Sequence, residues 1–243
     1  MNLIRGYDAE TLRELIDPRE CQQRLEEIGM QRSLPALLER VWLLKVLGDF
    51  DESLKLSEQS VRTARMSGTR QDLLRSRVLH ASVVHSRGNS SAAIQELTMC
   101  ADEAQGQRWP SIAAFALQHR GRVHFDNGDY ENARSDFKQV LFLRQQAGLS
   151  EDELSTTLLY VDTADRRWAH SAAGKAQAAT PEDAELLASV AAEAERASES
   201  TAVASDENVA AGAAGADQES AQPASEPVAP AVAAEPDRSA ANS

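Results

Sequence analysis

Three glycines recur at one fixed interval of 40 residues, at Gly48, Gly88 and Gly128. Each begins a similar phrase: Gly-Asp-Phe-Asp-Glu-Ser, Gly-Asn-Ser-Ser-Ala-Ala and Gly-Asp-Tyr-Glu-Asn-Ala. A fixed period of about 20–50 residues is typical of stacked-repeat architectures. Such stacks present a long concave surface to partners. The spacing therefore predicts a repeat fold that binds something, without identifying what is bound.

The charge of the chain is unevenly distributed. The 243 residues carry a formal net charge of −13. Residues 1–170 are close to balanced, whereas the remainder is rich in Glu and Asp, with Lys175, Arg196 and Arg238 as its cations. Because no basic field is available to attract phosphates, we do not expect a nucleic-acid partner.

Cysteine usage and hydropathy predict a soluble cytoplasmic protein. The two cysteines are Cys21 and Cys100, and the first residues alternate polar and apolar instead of forming the apolar core of a signal peptide. No apolar run reaches the roughly 18 residues that a membrane span needs. We therefore expect reduced thiols and no membrane partner.

The C-terminal segment, residues 171–243, is dominated by Ala, Glu, Ser and Pro. Such a composition buries too little apolar surface to offset its ordering entropy, so we expect an acidic tail that is mostly disordered. Within it, residues 181–197 follow a helix-capping Thr180 and carry an apolar stripe. They are either a helix, as half of a fourth repeat or as a linear motif, or a transient helix in a disordered tail.

Between Asp8 and His170 the apolar residues recur at helical three- and four-residue steps, as at Leu37, Val41 and Leu44. Helix starts are indicated by capping-box pairs, for example Thr69 with Asp72. Three glycines are expected to end helices in the left-handed conformation. These are Gly68, Gly106 and Gly148. Each unit then reads as a helical hairpin, over residues 34–69, 70–108 and 109–148.

Residues at corresponding positions of the three units form columns. Two columns consist mostly of small side chains, which allow two helices to approach closely, so they predict where the two helices of a unit cross. They are Ser53, Ala93 and Ala133, and Val41, Ala81 and Gly121. A third column becomes larger along the chain and is expected to fill space between neighbouring units. It consists of Ser57, Leu97 and Phe137.

With these columns in register, residues 34–148 resemble the tetratricopeptide repeat family in its longer variant of about 40 residues. The positions that carry the resemblance are Gly48, Phe50 and Ser53 in the first unit, Gly88 and Ala93 in the second, and Gly121, Gly128, Tyr130, Ala133 and Phe137 in the third. The proline that usually closes each repeat of the family is replaced by glycine. The resemblance implies an α-solenoid of stacked antiparallel helical hairpins.

The flanks complete an all-α fold class. Residues 1–33 are expected to form N-terminal capping helices over Asp8–Ile16 and Pro18–Ile28, and residues 149–170 a C-terminal capping helix. No alternating Val, Ile and Thr run is long enough to predict a strand.

Nothing in the sequence supports catalysis, a metal or a cofactor. The histidine pairs His80/His85 and His119/His124 are five residues apart, so neither pair shares a helix face as chelating residues would. Cys100 lies in a packing column, where a buried inert thiol is expected. No nucleophile elbow, phosphate-binding loop or zinc-protease motif occurs. We therefore expect a protein that is not an enzyme.

The resemblance implies a concave groove lined by the first helix of each unit. Its predicted partner-binding residues are Trp42, Lys45, Arg75, Ser82, His85, Gln118, Arg122 and Phe125, with Leu38 beside them. Apolar and aromatic side chains would anchor a peptide, and arginine would orient it through a carboxylate. The alternative is that Leu38, Trp42 and Phe125 belong to the core. The Lys/Asn pattern with which the family clamps a C-terminal carboxylate is not met, because Leu38 and Trp42 occupy its first two positions.

Two functions follow from this interpretation. The first is a cytoplasmic adaptor or regulator that binds a peptide segment of a partner protein in its groove. The alternative is an intramolecular regulator in which the acidic tail, through Leu186–Ala194, occupies the groove until a partner displaces it. Both are compatible with a homo-oligomer.

Overall fold

The computed structural model describes residues 3–178 of the chain, with side chains over 3–172. Residues up to Trp168 belong to one compact unit, and residues 169–178 belong to a second. The described elements are a two-stranded sheet and a series of helices. They are β1 (Ile4–Tyr7), β2 (Glu14–Ile16), α1 (Pro18–Ile28), α2 (Leu34–Leu47), α3 (Phe50–Ser67), α4 (Arg70–Ser86), α5 (Ser90–Gly106), α6 (Pro110–Asp126), α7 (Tyr130–Gln146) and α8 (Glu151–Ala178).

The helices from α2 to α7 form three stacked hairpins. Each helix packs against the next one along the chain, and the first helices of the hairpins, α2, α4 and α6, also pack against one another. The all-α fold class predicted from the glycine period is therefore confirmed. None of the described helices combines the length and the apolar character needed to cross a bilayer.

The repeated glycine marks the turn inside each hairpin. Gly48, Gly88 and Gly128 adopt φ angles of 87°, 90° and 77°, a left-handed conformation that glycine alone adopts without strain. The next residue is Asp, Asn or Asp, and its side chain accepts a hydrogen bond from the first turn of the second helix. One residue therefore ends a helix and its neighbour begins the next, which explains why the pair recurs.

The glycines between hairpins behave differently from what the sequence predicts. Gly148 is left-handed, with φ of 77°, but Gly68 has an extended backbone and Gly106 is the last residue of α5. The left-handed position after α5 is taken by Arg108, with φ of 57°. The predicted capping box at the start of α4 is present, since Thr69 Oγ1 accepts from the Asp72 amide at 3.1 Å.

The columns of small residues lie where the two helices of each hairpin cross. Ser53 is fully buried and its Oγ donates to the Val41 carbonyl at 2.8 Å. A Cβ atom on Gly121 would lie only 2.6 Å from the Phe137 ring. Phe137 therefore fills space within its own hairpin, and it also reaches α8, where its ring centroid is 5.2 Å from that of Tyr160. Small and large columns compensate each other, so packing stays dense along the stack.

The N-terminal segment corrects a prediction. Asp8–Ile16 is not a capping helix; it forms the turn and second strand of a β-hairpin in which β1 and β2 pair antiparallel. Asp8 Oδ1 accepts from the amides of Glu10 and Thr11, at 3.0 and 2.7 Å. These bonds offer the backbone an alternative to the helix. Leu12, with φ of 56°, then turns the chain back.

The β-hairpin contacts both ends of the stack of first helices. Leu3 packs in one apolar cluster with Trp42 and Leu43 of α2. At the other end, the fully buried Leu12 packs with residues of α6, α7 and α8, including Tyr160. Thr163 of α8 donates to the carbonyl of Ala9 at 3.1 Å. The hairpin therefore lies over the surface that the sequence predicts as an open groove.

The C-terminal capping helix is present and longer than expected. It begins at Glu151 behind a Ser150–Glu153 capping pair and continues to Ala178. The predicted tail beyond it, with the helix at 181–197 and the tail-docking hypothesis, lies outside the described residues.

Candidate functional site

A cavity of about 510 Å³ lies between the first helices of the hairpins, the β-hairpin and α8. Its lining residues come from every one of these elements. They are Tyr7, Arg13 and Glu14 of the β-hairpin; Trp42, Lys45, Val46, Gly48 and Phe50 of the first helical hairpin; Leu79, Ser82, His85, Ser86 and Gly88 of the second; Phe115, Gln118, His119, Arg122, Val123 and Asp126 of α6; and Tyr160 of α8.

Most of the groove residues predicted from the sequence meet at this cavity. They are Trp42, Lys45, Ser82, His85, Gln118 and Arg122. Trp42, Ser82 and Arg122 occupy one repeat position in α2, α4 and α6, and Lys45 and His85 share another. The repeat register therefore places equivalent side chains next to each other on neighbouring helices.

Three predicted residues lie elsewhere. Phe125 occupies the same repeat position as Lys45 and His85, yet it is only 6 % exposed and belongs to the core. Leu38 packs against the core between α2 and α4. Arg75 does not line the cavity, and its Nη1 lies 4.0 Å from Asp72. For Phe125 and Leu38 the core alternative holds, whereas Trp42 is buried and also lines the cavity.

Two groups stand out among the lining residues that were not predicted from the sequence. Val46, Ser86 and Asp126 lie one helical turn after Trp42, Ser82 and Arg122, so the same register could have found them. The residues of the β-hairpin could not have been found this way, because no repeat relates them to the helices. They are Tyr7, Arg13 and Glu14.

Aromatic side chains form part of the cavity wall. Tyr7 packs edge-on against Tyr160, with ring centroids 5.6 Å apart. Trp42 is 5 % exposed, and its indole N–H has no acceptor among the described residues. A buried indole N–H normally has a partner, so this donor is an exception that calls for an explanation.

Two cations on neighbouring repeat positions lack a carboxylate partner. Neither Lys45 nor Arg122 forms an ion pair with any described residue, although both are half-buried. Arg122 Nη1 donates to the Tyr160 hydroxyl at 3.3 Å, and its Nε has no acceptor. Burial lowers the pKa of Lys45 and Arg122 lowers it further, while Glu14 and Asp126 oppose the shift. By contrast, the half-buried Arg120 is paired with Asp136 at 2.7 Å.

The two histidines of the cavity differ in their partners. Burial, followed by the positive charge of Lys45, lowers the pKa of His119 to about 3, so its ring is neutral at pH 7. That ring packs edge-on against Phe115 at 4.7 Å and forms no hydrogen bond with a described residue. His85 instead bridges two hairpins, since its Nε2 lies 2.9 Å from Asp126 Oδ2 and its Nδ1 lies 3.1 Å from Ser90 Oγ.

Glu14 supplies a negative charge from the β-hairpin. Burial acts to raise the pKa of this carboxyl, but Lys45 and Arg122, together with smaller contributions from a backbone hydrogen bond and His119, outweigh burial and the pKa is lowered. The carboxylate is therefore ionised at neutral pH and is attracted to both cations, yet it forms an ion pair with neither. Lys45 and Arg122 thus line the cavity without an ion pair, and the nearby carboxylates of Glu14 and Asp126 balance them only at a distance.

Metal and thiol chemistry have no counterpart at this site. Among residues 3–172, no three His, Cys, Asp or Glu side chains cluster in a way that could hold a metal ion. Both cysteines are buried away from the cavity, and burial raises the pKa of the Cys100 thiol to about 12. The cavity presents aromatic walls, charged groups of both signs and unpaired hydrogen-bond donors.

Fold and cavity together define an all-α protein of stacked helical hairpins with a pocket partly covered by a β-hairpin. No protein-family model matches the chain, and no curated protein matches it. Among solved structures, the chain is similar to the crystal structure of BtubC (BKLC) from P. vanneervenii, with 16 % sequence identity and a TM-score of 0.46. That alignment covers 85 % of this chain and 81 % of the other. The likeness is too distant to bear on function.

Proposed function

We propose that this protein is a tetratricopeptide-like interaction module that binds a short peptide segment of a partner protein in the partly covered cavity. The observation that carries the proposal is the convergence of one repeat position, Trp42, Ser82 and Arg122, on a cavity lined by aromatic and cationic side chains. Repeat stacks use such equivalent positions to build a continuous binding surface.

The size of the cavity favours a short segment. At about 510 Å³ it falls within the range of roughly 300–1,000 Å³ that is typical of ligand sites. The β-hairpin covers part of the groove, so a long extended peptide has less room than in an open stack. The cavity suits one or two side chains, or the end of a peptide.

The composition of the cavity wall favours a peptide over a purely apolar ligand. Trp42, Phe50 and Phe115 supply apolar contact area, while Lys45 and Arg122 supply charged donors. Aromatic and arginine side chains of this kind dominate the binding energy of many protein interfaces.

The proposal is tested by comparing what two matched variants capture from host lysate. Arg122→Glu reverses a cavity charge, whereas Arg62→Glu makes the same change on the exposed face of α3, where Arg62 only neighbours Glu58 at 3.7 Å. Proteins bound by the wild type and by Arg62→Glu, but lost with Arg122→Glu, are the candidates. Overlapping peptides of each candidate are then titrated while Trp42 fluorescence is followed, with Trp42→Phe to assign the signal.

We expect at least one peptide to bind the wild type and Arg62→Glu equally, and Arg122→Glu at least about tenfold more weakly, since a charge-assisted contact is replaced by repulsion. Circular dichroism must show the same helical content for all variants. If Arg122→Glu folds and retains every partner, the cavity is not the binding site.

A further inference from the structure

We propose that the cavity is a site for one anionic group, a carboxylate or a phosphate, which binds between Lys45 and Arg122 in competition with the Glu14 carboxylate of the β-hairpin. This deepens the proposed function, on which it rests, by naming the ligand group: the partner segment would present an acidic or phosphorylated side chain.

The first support is the inventory of donors around the cavity. Lys45 has three N–H donors and Arg122 five, yet their only hydrogen bond to a described residue is the one from Arg122 to Tyr160. Trp42 is only 5 % exposed, and its indole N–H also lacks an acceptor among the described residues. Buried donors are nearly always paired, so a cluster of unpaired ones points to an acceptor that arrives with a ligand.

The second support comes from comparison with other half-buried arginines of the described chain. Arg77 lies 2.6 Å from Glu96, and Arg120 lies 2.7 Å from Asp136. These cations are neutralised by a carboxylate of the second helix in the same hairpin. Arg122 is one of the few half-buried arginines without such a partner, and it is the one that lines the cavity together with a second unpaired cation.

The acceptors of the cavity do not fill this role. Asp126 attracts both cations but forms an ion pair with neither, and its carboxylate is engaged by His85 at 2.9 Å. Gln118 Oε1 accepts from Arg144 at 2.6 Å. Glu14 remains, and it is carried by a strand outside the repeats. It forms no ion pair with Lys45 or Arg122, so an anion that contacts both cations would be favoured over it.

The charge balance predicts how each group responds to an anion. Lys45 and Arg122 repel each other, and together with burial they hold the pKa of Lys45 and of His119 below the ordinary values. A bound anion offsets that repulsion and accepts hydrogen bonds from the unpaired N–H donors. A neutral ligand leaves it unchanged.

The test uses the full chain and the three tryptophan indole N–H signals in a ¹H–¹⁵N correlation spectrum. Sodium phosphate and sodium acetate are titrated separately, with sodium chloride holding the ionic strength constant. Trp42 reports on the cavity, while Trp109 and Trp168, which do not line it, serve as internal controls. The two arms distinguish a preference for phosphate from one for carboxylate.

We expect a saturable shift of the Trp42 signal with at least one probe and none with chloride. Lys45→Gln and Arg122→Gln should each weaken binding at least roughly tenfold, and Lys55→Gln, an equal change on the exposed face of α3, should not. Glu14→Gln removes the competing charge and should tighten binding by roughly three- to tenfold, whereas the exposed Glu131→Gln should leave it unchanged.

Two results would overturn the inference. One is the absence of a saturable Trp42 shift up to about 0.1 M of either probe, where even millimolar affinity would be visible. The other is equal binding by the wild type, Glu14→Gln and the cation variants. If a cation variant fails to fold, Glu14→Gln decides the question, since it removes no ion pair. A partner peptide that binds in the cavity with neutral side chains alone would leave the proposed function intact while refuting the anion site.

Discussion

The helix crossing in the third hairpin gives a quantitative test of the packing. Gly121 lies inside α6, where replacing glycine by alanine normally stabilises a helix by about 0.5–1 kcal/mol. Here the new Cβ would lie 2.6 Å from Cε1 and 2.8 Å from Cδ1 of the Phe137 ring. Phe137 is fully buried against Tyr160, so its ring cannot simply move aside. Overpacking of this kind costs about 1–3 kcal/mol.

Gly121→Ala should therefore destabilise the fold by about 1–2 kcal/mol, despite the better helix propensity. For a domain of this size, that loss lowers the melting temperature by roughly 2–8 °C. The assay is thermal unfolding followed by circular dichroism at 222 nm, with urea unfolding to obtain the free energy. Gly106→Ala is the matched control, since no atom lies within 4 Å of a Cβ there, and it should be neutral or stabilising by up to about 1 kcal/mol.

A double variant separates the clash from other effects. Phe137→Leu opens space beside residue 121. The double variant should therefore lose about 1 kcal/mol less stability than the summed losses of the two single variants. A Gly121→Ala variant as stable as the wild type would refute the reasoning, because the crossing would then not depend on the missing side chain. Strict additivity would also contradict it.

Three further changes probe the remaining parts of the structure. His119→Phe should flatten the pH dependence of stability. The folded protein holds the pKa of His119 at about 3, so the unfolded chain takes up a proton there first as the pH falls below the ordinary histidine pKa. This difference lowers the free energy of unfolding of the wild type by about 1–2 kcal/mol at pH 5. Urea unfolding at pH 7 and pH 5 checks this, and an unchanged difference contradicts it. Leu12→Ala should cost about 2–4 kcal/mol and increase hydrogen exchange in the β-hairpin, whereas unchanged exchange would mean that Leu12 is no anchor. Ala133→Leu should cost about 1–3 kcal/mol in the same assay, and an unaltered melting temperature would remove Ala133 from the crossing.

The repeats were predictable because their information is local and periodic. A glycine followed by Asp or Asn between two helical patterns is typical of a turn that ends one helix and begins the next. The recurrence of this pair at Gly48, Gly88 and Gly128 therefore predicts three turns. Once the turns are aligned, the columns identify the crossing positions from side-chain size alone. The same alignment places Trp42 and Arg122 at one repeat position and so predicts that they share a surface.

The β-hairpin was not predictable because its information is non-local. The spacing of Leu12, Leu15 and Ile16 fits one face of a helix, and Asp8 is of a residue type that caps helices. What selects the hairpin is tertiary contact, such as the bond from the Tyr160 hydroxyl to the Leu12 carbonyl at 3.4 Å, which spans 148 residues. Tertiary context of this kind overrides local propensity.

Phe125 shows where the columns lose resolution. It shares a repeat position with Lys45 and His85, but its ring packs 5.4 Å from Tyr130 in the aromatic core between α6, α7 and α8. A large apolar side chain at the edge of a groove gains more by turning inward when aromatic neighbours are available. Column position therefore predicts which helix face a residue occupies, but its side chain decides between cavity and core.

The β-hairpin determines what a ligand must displace to enter the cavity. It is anchored at one end by Leu3 against α2 and at the other by Leu12 beneath α8, and both side chains are buried. Between these anchors, Glu14 faces Lys45 and Arg122 without an ion pair to either. Rearranging one carboxylate side chain costs far less free energy than releasing the whole hairpin. Burial of each anchoring leucine stabilises the hairpin by about 1.5–3 kcal/mol. Entry by exchange of the Glu14 side chain is thus the route with the lower free-energy cost.

This route predicts that Glu14→Gln speeds association of the ligand while hydrogen exchange in the β-hairpin stays as slow as in the wild type. Faster exchange of the hairpin on binding would show instead that the whole hairpin opens.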